Sequence, residues 1–371
     1  MSLIHKLKRN LTNIPGATVN KKIVVIESDD WGSVRMPSLV AYKDLQQQGL
    51  DMNSGDSARY NQNDTLASSK DLSCLYKVLT NFKDHLGNHP VITPITIVAN
   101  PDFVKIKEHN FKKYYCEPFT KTLKAYHGDN VFEIWKEGIE KKIFVPQFHG
   151  REHLNIAAWM RALQKNDKET VLAFDCGVWG YTNKHPLGLM YQAAFDLEVT
   201  SDLKLQHEVI ESGLNVFEEL FGYKASYFVP PNGPFNTTLE AVAAQKGIQY
   251  MFASKIQKEV LGGGVTRNKY YWLGKKNKHG QLYLTRNCFF EPSNTSKNWV
   301  KSCLEDINRA FRWKKPAVIS SHRVNFIGSL NIKNRESGLD NLEQLLKAIL
   351  LKWPDVEFKT SAELGGILAK K

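Results

Sequence analysis

The chain has little cysteine, no long apolar run and no nucleic-acid-binding signature, and each gap removes a class of protein. Its five cysteines in 371 residues, Cys74, Cys116, Cys176, Cys288 and Cys303, are odd in number, widely separated and without a C-x-x-C pair. That argues against a disulfide framework or a structural zinc knot. No stretch approaches the roughly 18 apolar residues of a membrane span. The basic N-terminus MSLIHKLKRNLTNIPG lacks the apolar core of a secretion signal, so the expected location is the cytoplasm. The net charge of +12 comes mostly from scattered lysines, as in Lys105 to Lys113, Lys136 to Lys142 and Lys275 to Lys278. Without a zinc-finger spacing or an aromatic RNP stretch beside them, these read as a solvated basic surface with no nucleic-acid partner. One local pattern differs: Leu3, Ile4, Leu7 and Leu11 share a helical face with Lys6, Lys8 and Arg9 among them. Residues 1–12 are therefore a candidate for peripheral membrane contact, against the plainer reading of a terminal helix packed on the domain.

What is present is a globular composition, 42% hydrophobic and 24% charged, enough for a substantial core. From Lys21 onward, short β-rich runs alternate with amphipathic stretches, as repeated β/α units around parallel strands require. Ile23–Ile26, Ile95–Val98, Ile143–Val145, Ser226–Val229, Tyr250–Ala253 and Ala317–Ile319 are continuous apolar runs, the mark of strands covered on both faces. Helices are predicted over Leu154–Gln164, His207–Phe221, Thr238–Gln245, Asn298–Arg312 and Leu339–Lys352. Polar residues gather where the strands run out, which is how a barrel-like α/β domain builds its site. The polar span 33–90 reads as a long insertion after the first strand. Residues 1–20 form an N-terminal basic segment and 21–371 a single barrel domain with that insertion.

Four groups of residues carry chemistry. Neighbouring strand residues point to opposite faces, so Asp29 and Asp30 can enter one site only where the backbone turns; an ordinary Asp–Gly turn is the alternative. His149 and His153 stand four apart, which stacks them on one face if a helical turn starts there. Helix-start histidines would look the same, and the lack of H-E-x-x-H excludes the usual zinc-protease pattern. His322 directly follows a buried strand, as a structural imidazole also can. In Pro230-Pro231-Asn232-Gly233 neither proline donates a backbone hydrogen bond, so Asn232 offers the first N–H after a strand, held in a stiff turn.

In this order, these groups resemble the polysaccharide deacetylases, the carbohydrate esterase family of the nodulation-type deacetylase domain. The residues concerned are Asp29-Asp30 in Ile26–Gly32, His149 with His153, the Val229–Gly233 turn, and His322. The resemblance implies a distorted, incomplete (β/α)7-type barrel. It implies an N-deacetylase of an amino sugar in a polysaccharide or glycan precursor; separately, the missing secretion signal and the positive charge make a nucleotide- or lipid-linked precursor a candidate. By the same resemblance Asp30, His149 and His153 hold one divalent ion, Zn2+ being the usual one, Asp29 is the general base and His322 the general acid. Asn232, Arg151 and Trp31 are the expected substrate contacts. The pattern also departs from the family: Gly150 replaces a Ser or Thr, Val229 stands where the base's bracing arginine is usual, and no fourth, Asp/Trp-bearing motif is evident. Arg151, Arg286 or Arg323 could supply the missing cation. Two other functions remain open, a glycoside hydrolase using Asp29 with Asp175 or Glu291, and a non-catalytic sugar-binding protein. Trp179, Trp272 and Trp299 are further candidates for stacking on sugars.

Overall fold

A computed structural model describes residues 10–55, 57–128 and 130–370; most of the predicted membrane-contacting helix, residues 1–9, lies outside them. The order of strands along the chain is β1 (Lys22–Trp31), β2 (Ile92–Ile97), β3 (Ala99–Pro101), β4 (Cys116–Pro118), β5 (Gln147–Gly150), β6 (Tyr227–Phe228) and β7 (Tyr250–Phe252). It continues with β8 (Ile256–Gly262), β9 (Val265–Tyr270), β10 (Leu282–Leu284), β11 (Cys288–Phe289), β12 (Ala317–His322) and β13 (Val356–Phe358). The main sheet runs β10-β7-β6-β5-β2-β1-β12-β11, with β13 added along the start of β1. All its pairings are parallel, and its end strands β10 and β11 are not joined, so it is an incomplete (β/α) barrel. Two short antiparallel pairs, β3–β4 and β8–β9, lie outside it.

The period of two along β1 decides what the barrel holds. Val24 and Ile26 face outward, into a core with Leu342, Leu346 and Ile349 of the helix Ile332–Lys352 and Ile307 and Ala310 of the helix Trp299–Arg312. Ile23 and Val25 face the lumen, packed with Ile95, Tyr227, Leu284 and Val318 and closed at the bottom by Leu364 and Leu368 of the C-terminal helix Ser361–Ala369. The next two residues on the lumen side are Glu27 and Asp29. The lumen thus changes from hydrocarbon to charge at the carboxyl ends of the strands.

The insertion after β1 is helical, with helices over Leu39–Gln47, Ser57–Asn63 and Ser69–Thr80. Buried ion pairs fasten it to the barrel: Arg323, fully buried, grips both carboxylate oxygens of Asp64 at 3.0 Å, and Arg335 binds Asp71 at 2.9 Å. One predicted strand is displaced. Ile143–Val145 makes only an isolated bridge to Ile92, and the strand itself is the more polar Gln147–Gly150. Gln147 is tolerated there because its Oε1 accepts from the backbone N–H groups of Ser226 and Tyr227, at 3.0 and 2.8 Å.

Gly338, inside the helix Ile332–Lys352, is required by close approach: a Cβ there would lie 1.6 Å from the Asn325 carbonyl oxygen. Backbone cannot swing aside as a flexible side chain would. Gly338→Ala is expected to cost about 1–3 kcal/mol through overpacking, seen as a lower urea midpoint with an unchanged slope. An unchanged midpoint would show that helix and loop are not in contact.

Candidate active site

The adjacent carboxylates share one cavity because β1 is broken in register, not because it ends. Asp30 has φ +73, a left-handed conformation, and the pairing of β1 with β2 shifts between Ser28 and Trp31. Asp tolerates this conformation better than most residues because its short polar side chain bonds locally. The twist turns Asp30 toward the same space as Asp29. Across the sheet, Asp29 pairs in register with His322 of β12.

Asp30 faces two imidazoles, its Oδ1 lying 3.5 Å from His149 Nε2 and 3.2 Å from His153 Nε2. Together the ligand atoms lie within 4.8 Å of one another. His149 donates from Nδ1 to the Val229 carbonyl at 2.6 Å, which fixes Nε2 as its free nitrogen. His153 Nδ1 has no hydrogen-bond partner among the described residues; its ring is held by stacking on Trp179, at 5.8 Å and 24°. The spacing suits an ion better than direct contact. Charge-assisted N–H···O bonds settle near ~2.8 Å, whereas ligands ~2.1 Å from a tetrahedral ion stand roughly 3.4 Å apart. A carboxylate and two imidazoles are also a donor set that zinc accepts.

The histidines are not stacked on a helix as their spacing predicts. His149 ends β5, and His153 lies in the loop before the helix Ile156–Gln164.

Asp29 is braced by Arg286, whose Nη1 and Nη2 meet its two oxygens at 2.6 Å each. The same guanidinium donates from Nε to Glu27 at 2.6 Å, and Glu27 also accepts from Tyr227 and Ser361. Of the three candidate arginines, then, Arg286 stands at Asp29. Arg323 is spent on Asp64, and Arg151 pairs with Glu152 and Ser212. Burial alone would raise the Asp29 carboxyl, but Arg286, His149 and His322 together outweigh it and hold it below the ordinary 3.8. Asp30 is likewise held well below the ordinary value, its burial outweighed by His149 and His153 together with His322.

His322 lies beside Asp29, its Nε2 3.9 Å from that carboxylate and its Nδ1 2.6 Å from Glu291. Burial would depress its imidazolium, yet Glu291 and the nearby aspartates raise it to about 9. Glu291 in turn is held by Arg59, from the insertion, at 2.8 Å and by Asn325 at 2.9 Å. Reading the sequence for a fourth motif did not find Glu291 in this role. A carboxylate two residues after β11 was visible, but its partner 31 residues later was not.

These groups line one cavity of about 730 Å³, with Arg35, Tyr60, Trp179 and Asn232 also on its wall. Asn232 has φ +54, in the stiff turn that Pro230 and Pro231 enforce. Two expected substrate contacts are absent from that wall. Trp31 is 1% exposed, its ring edge-on to Trp135 and Phe144 and its Nε1 donating to Ser28. Having followed Asp30 through the twist, it belongs to the core. Arg151 is turned away toward Ser212. Of the other tryptophans only Trp179 reaches this cavity. Asp175 is bound to Lys107 at the surface and is absent from the wall.

No family model and no curated protein matches the chain. Among solved structures it is similar to a probable polysaccharide deacetylase from Pseudomonas aeruginosa, at 9% identity over 95% of this chain and 92% of that one, with a TM-score of 0.47. It is also similar to a 4-alpha-glucanotransferase from Thermococcus litoralis, at 10% identity and a TM-score of 0.46; there it covers 93% of itself but 40% of that chain. A third is a CE4 family pseudoenzyme from Bacillus anthracis, at 11% identity over 93% of this chain and 66% of that one, with a TM-score of 0.38.

Arg286→Gln would leave Asp29 and Glu27 buried without their cation. The expected cost is about 3–5 kcal/mol at neutral pH, measured by denaturant unfolding. In the native chain Asp29 titrates below 3.8, so its contribution is present above that value and lost as pH falls through the lowered one. In the variant burial raises the Asp29 carboxyl without Arg286 to oppose it, so the deficit should shrink on acidification. A deficit that stays constant with pH would show that Arg286 does not pair with them.

Proposed function

We propose that the chain is a metal-dependent hydrolase that removes an N-acetyl group from an amino sugar of a polysaccharide or glycan precursor, with residues 21–370 acting as one barrel. One observation carries the reading: a possible ion site, Asp30–His149–His153, shares a single cavity with an arginine-braced carboxylate and a carboxylate-braced imidazole. Zn2+ suits the donor set best, and when bound it would polarise the acetyl carbonyl and acidify water at its open position.

The remaining work falls to side chains. Asp29, kept ionised by Arg286, takes the proton of the attacking water; its fixed bidentate bond leaves it little freedom to rotate away. The Asn232 N–H contributes to holding the oxyanion of the tetrahedral species. His322, protonated at neutral pH through Glu291, hands its Nε2 proton to the departing sugar amine, and acetate and a free amine result. Direct glycoside hydrolysis fits less well. It needs two carboxyl groups across a sugar-sized gap, and Glu291 already holds the His322 ring and Arg59.

Two measurements test this. Wild-type protein should bind about one zinc ion per chain and release acetate from acetylated amino sugars, while His149→Ala and His153→Ala lose both. Undiminished metal content in both variants would remove the mechanism's centre. The pH profile of kcat should keep its alkaline limb near pH 9, where His322 loses its proton. Glu291→Gln removes the cause of that elevation, so the limb should move down toward the ordinary 6.5. A limb that does not move would exclude His322 as the acid.

A further inference from the structure

Arg35 is a buried cation with no ion-pair partner among the described residues. It is 9% exposed, it lines the cavity, and its hydrogen bonds go from Nε and Nη2 to one neutral acceptor, Asn61 Oδ1, at 3.3 Å each. Among the described residues no carboxylate lies within ion-pair distance of it. Asp64 is close enough to favour its charge but is held on both oxygens by Arg323. Asp30 also favours that charge, yet Asp30 is one of the three proposed ion ligands. A divalent ion placed there would cancel the help Asp30 gives and leave Arg35 facing more positive charge. A buried guanidinium in that position is costly unless an anion completes it.

The side chain is also held in place rather than loosely folded in. Its guanidinium lies 5.8 Å from the Tyr60 ring centre and 5.9 Å from that of Trp179, the ring that stacks on His153. It lies flat on Gly180, where a Cβ would come within 2.8 Å of Nη1 and 3.0 Å of Cδ and Cζ. Gly180 has no left-handed backbone to explain it. Its lack of a side chain makes room for Arg35. Planar guanidinium groups fixed in this way recognise carboxylates and phosphates through paired N–H···O bonds.

We propose that Arg35 is the recognition site for an acidic group on the substrate, a carboxylate or phosphate carried near the acetamido group, so that the chain acts on acidic amino sugars in preference to neutral ones. This rests on the deacetylase reading for the chemistry at the neighbouring ion site, and it makes Arg35 a specificity-determining residue, not one that moves a proton.

The test measures binding separately from turnover. Zinc-loaded full-length protein is titrated calorimetrically with N-acetylglucosamine, with N-acetylmuramate, which adds a carboxylate, and with N-acetylglucosamine 6-phosphate. The expected result is that at least one acidic sugar binds about tenfold or more tightly than the neutral one. The arm that does so tells carboxylate from phosphate. Arg35→Gln should reduce that ratio to near one. Gly180→Ala should do much the same by displacing the guanidinium, and it touches no group proposed to react, so it keeps the test open if Arg35→Gln fails to fold. Equal affinity for all three sugars, or a preference that survives in both variants, overturns the proposal. Acetate release is followed in parallel. Acid preference without any release would sink the deacetylase reading alone, while release at equal kcat/KM from neutral and acidic sugars would sink the Arg35 site alone.

Discussion

The bond between Arg286 and the two lumen carboxylates of β1 is the interaction on which the rest depends. Glu27 and Asp29 follow Ile23 and Val25 on one face of a strand, so they enter the barrel where hydrocarbon gives way to polar groups. Two ionised carboxylates in such a place repel each other and lose solvation. A single guanidinium, reaching Asp29 with two nitrogens and Glu27 with the third, offsets much of both costs. It comes from the turn between β10 and β11, the two strands at the open edges of the barrel. The incomplete closure of the sheet therefore lies beside the residue that neutralises its centre.

Asp30 solves a second geometric problem. If β1 ran on regularly, Asp30 would point away from Asp29, and the proposed base and the proposed ion ligand could not be neighbours. The left-handed residue and the slip against β2 bring them together. Strain of this kind persists where surrounding contacts over-determine it. Here Asp30 meets His149 and His153, while Trp31, one residue on, is locked among Trp135 and Phe144.

How much of this could be read from the sequence follows from range. β1, the Asp29-Asp30 pair and His322 were legible because apolar runs ending in polar residues are local patterns. Convergence of His149 and His153 was legible too, although by a strand end and a loop instead of a helical turn. The choice of Arg286 over Arg151 and Arg323 was not, because a bond across 257 residues leaves no periodic trace. Glu291 was hidden for the same reason. β5 was misplaced because apolar content marked Ile143–Val145, whereas the barrel needed the amide of Gln147 to satisfy the start of β6. Trp31 reads from the sequence as an aromatic candidate for sugar contact; the twist that brings the aspartates together also buries it.

The insertion after β1 is more than a cover. It is pinned to the barrel by buried charge, Asp64 to Arg323 and Asp71 to Arg335. From that fixed frame Arg59 reaches Glu291, the carboxylate that keeps the proton on His322, and the Tyr60 ring stands edge-on to His322 at 5.7 Å. Arg35, at the root of the same insertion, bonds to Asn61 within it. One folded segment therefore shapes the wall that a substrate meets and supports the charge behind the proposed acid. Loosening it would alter recognition and proton supply together, since Glu291 freed from Arg59 would present a different field to the imidazole.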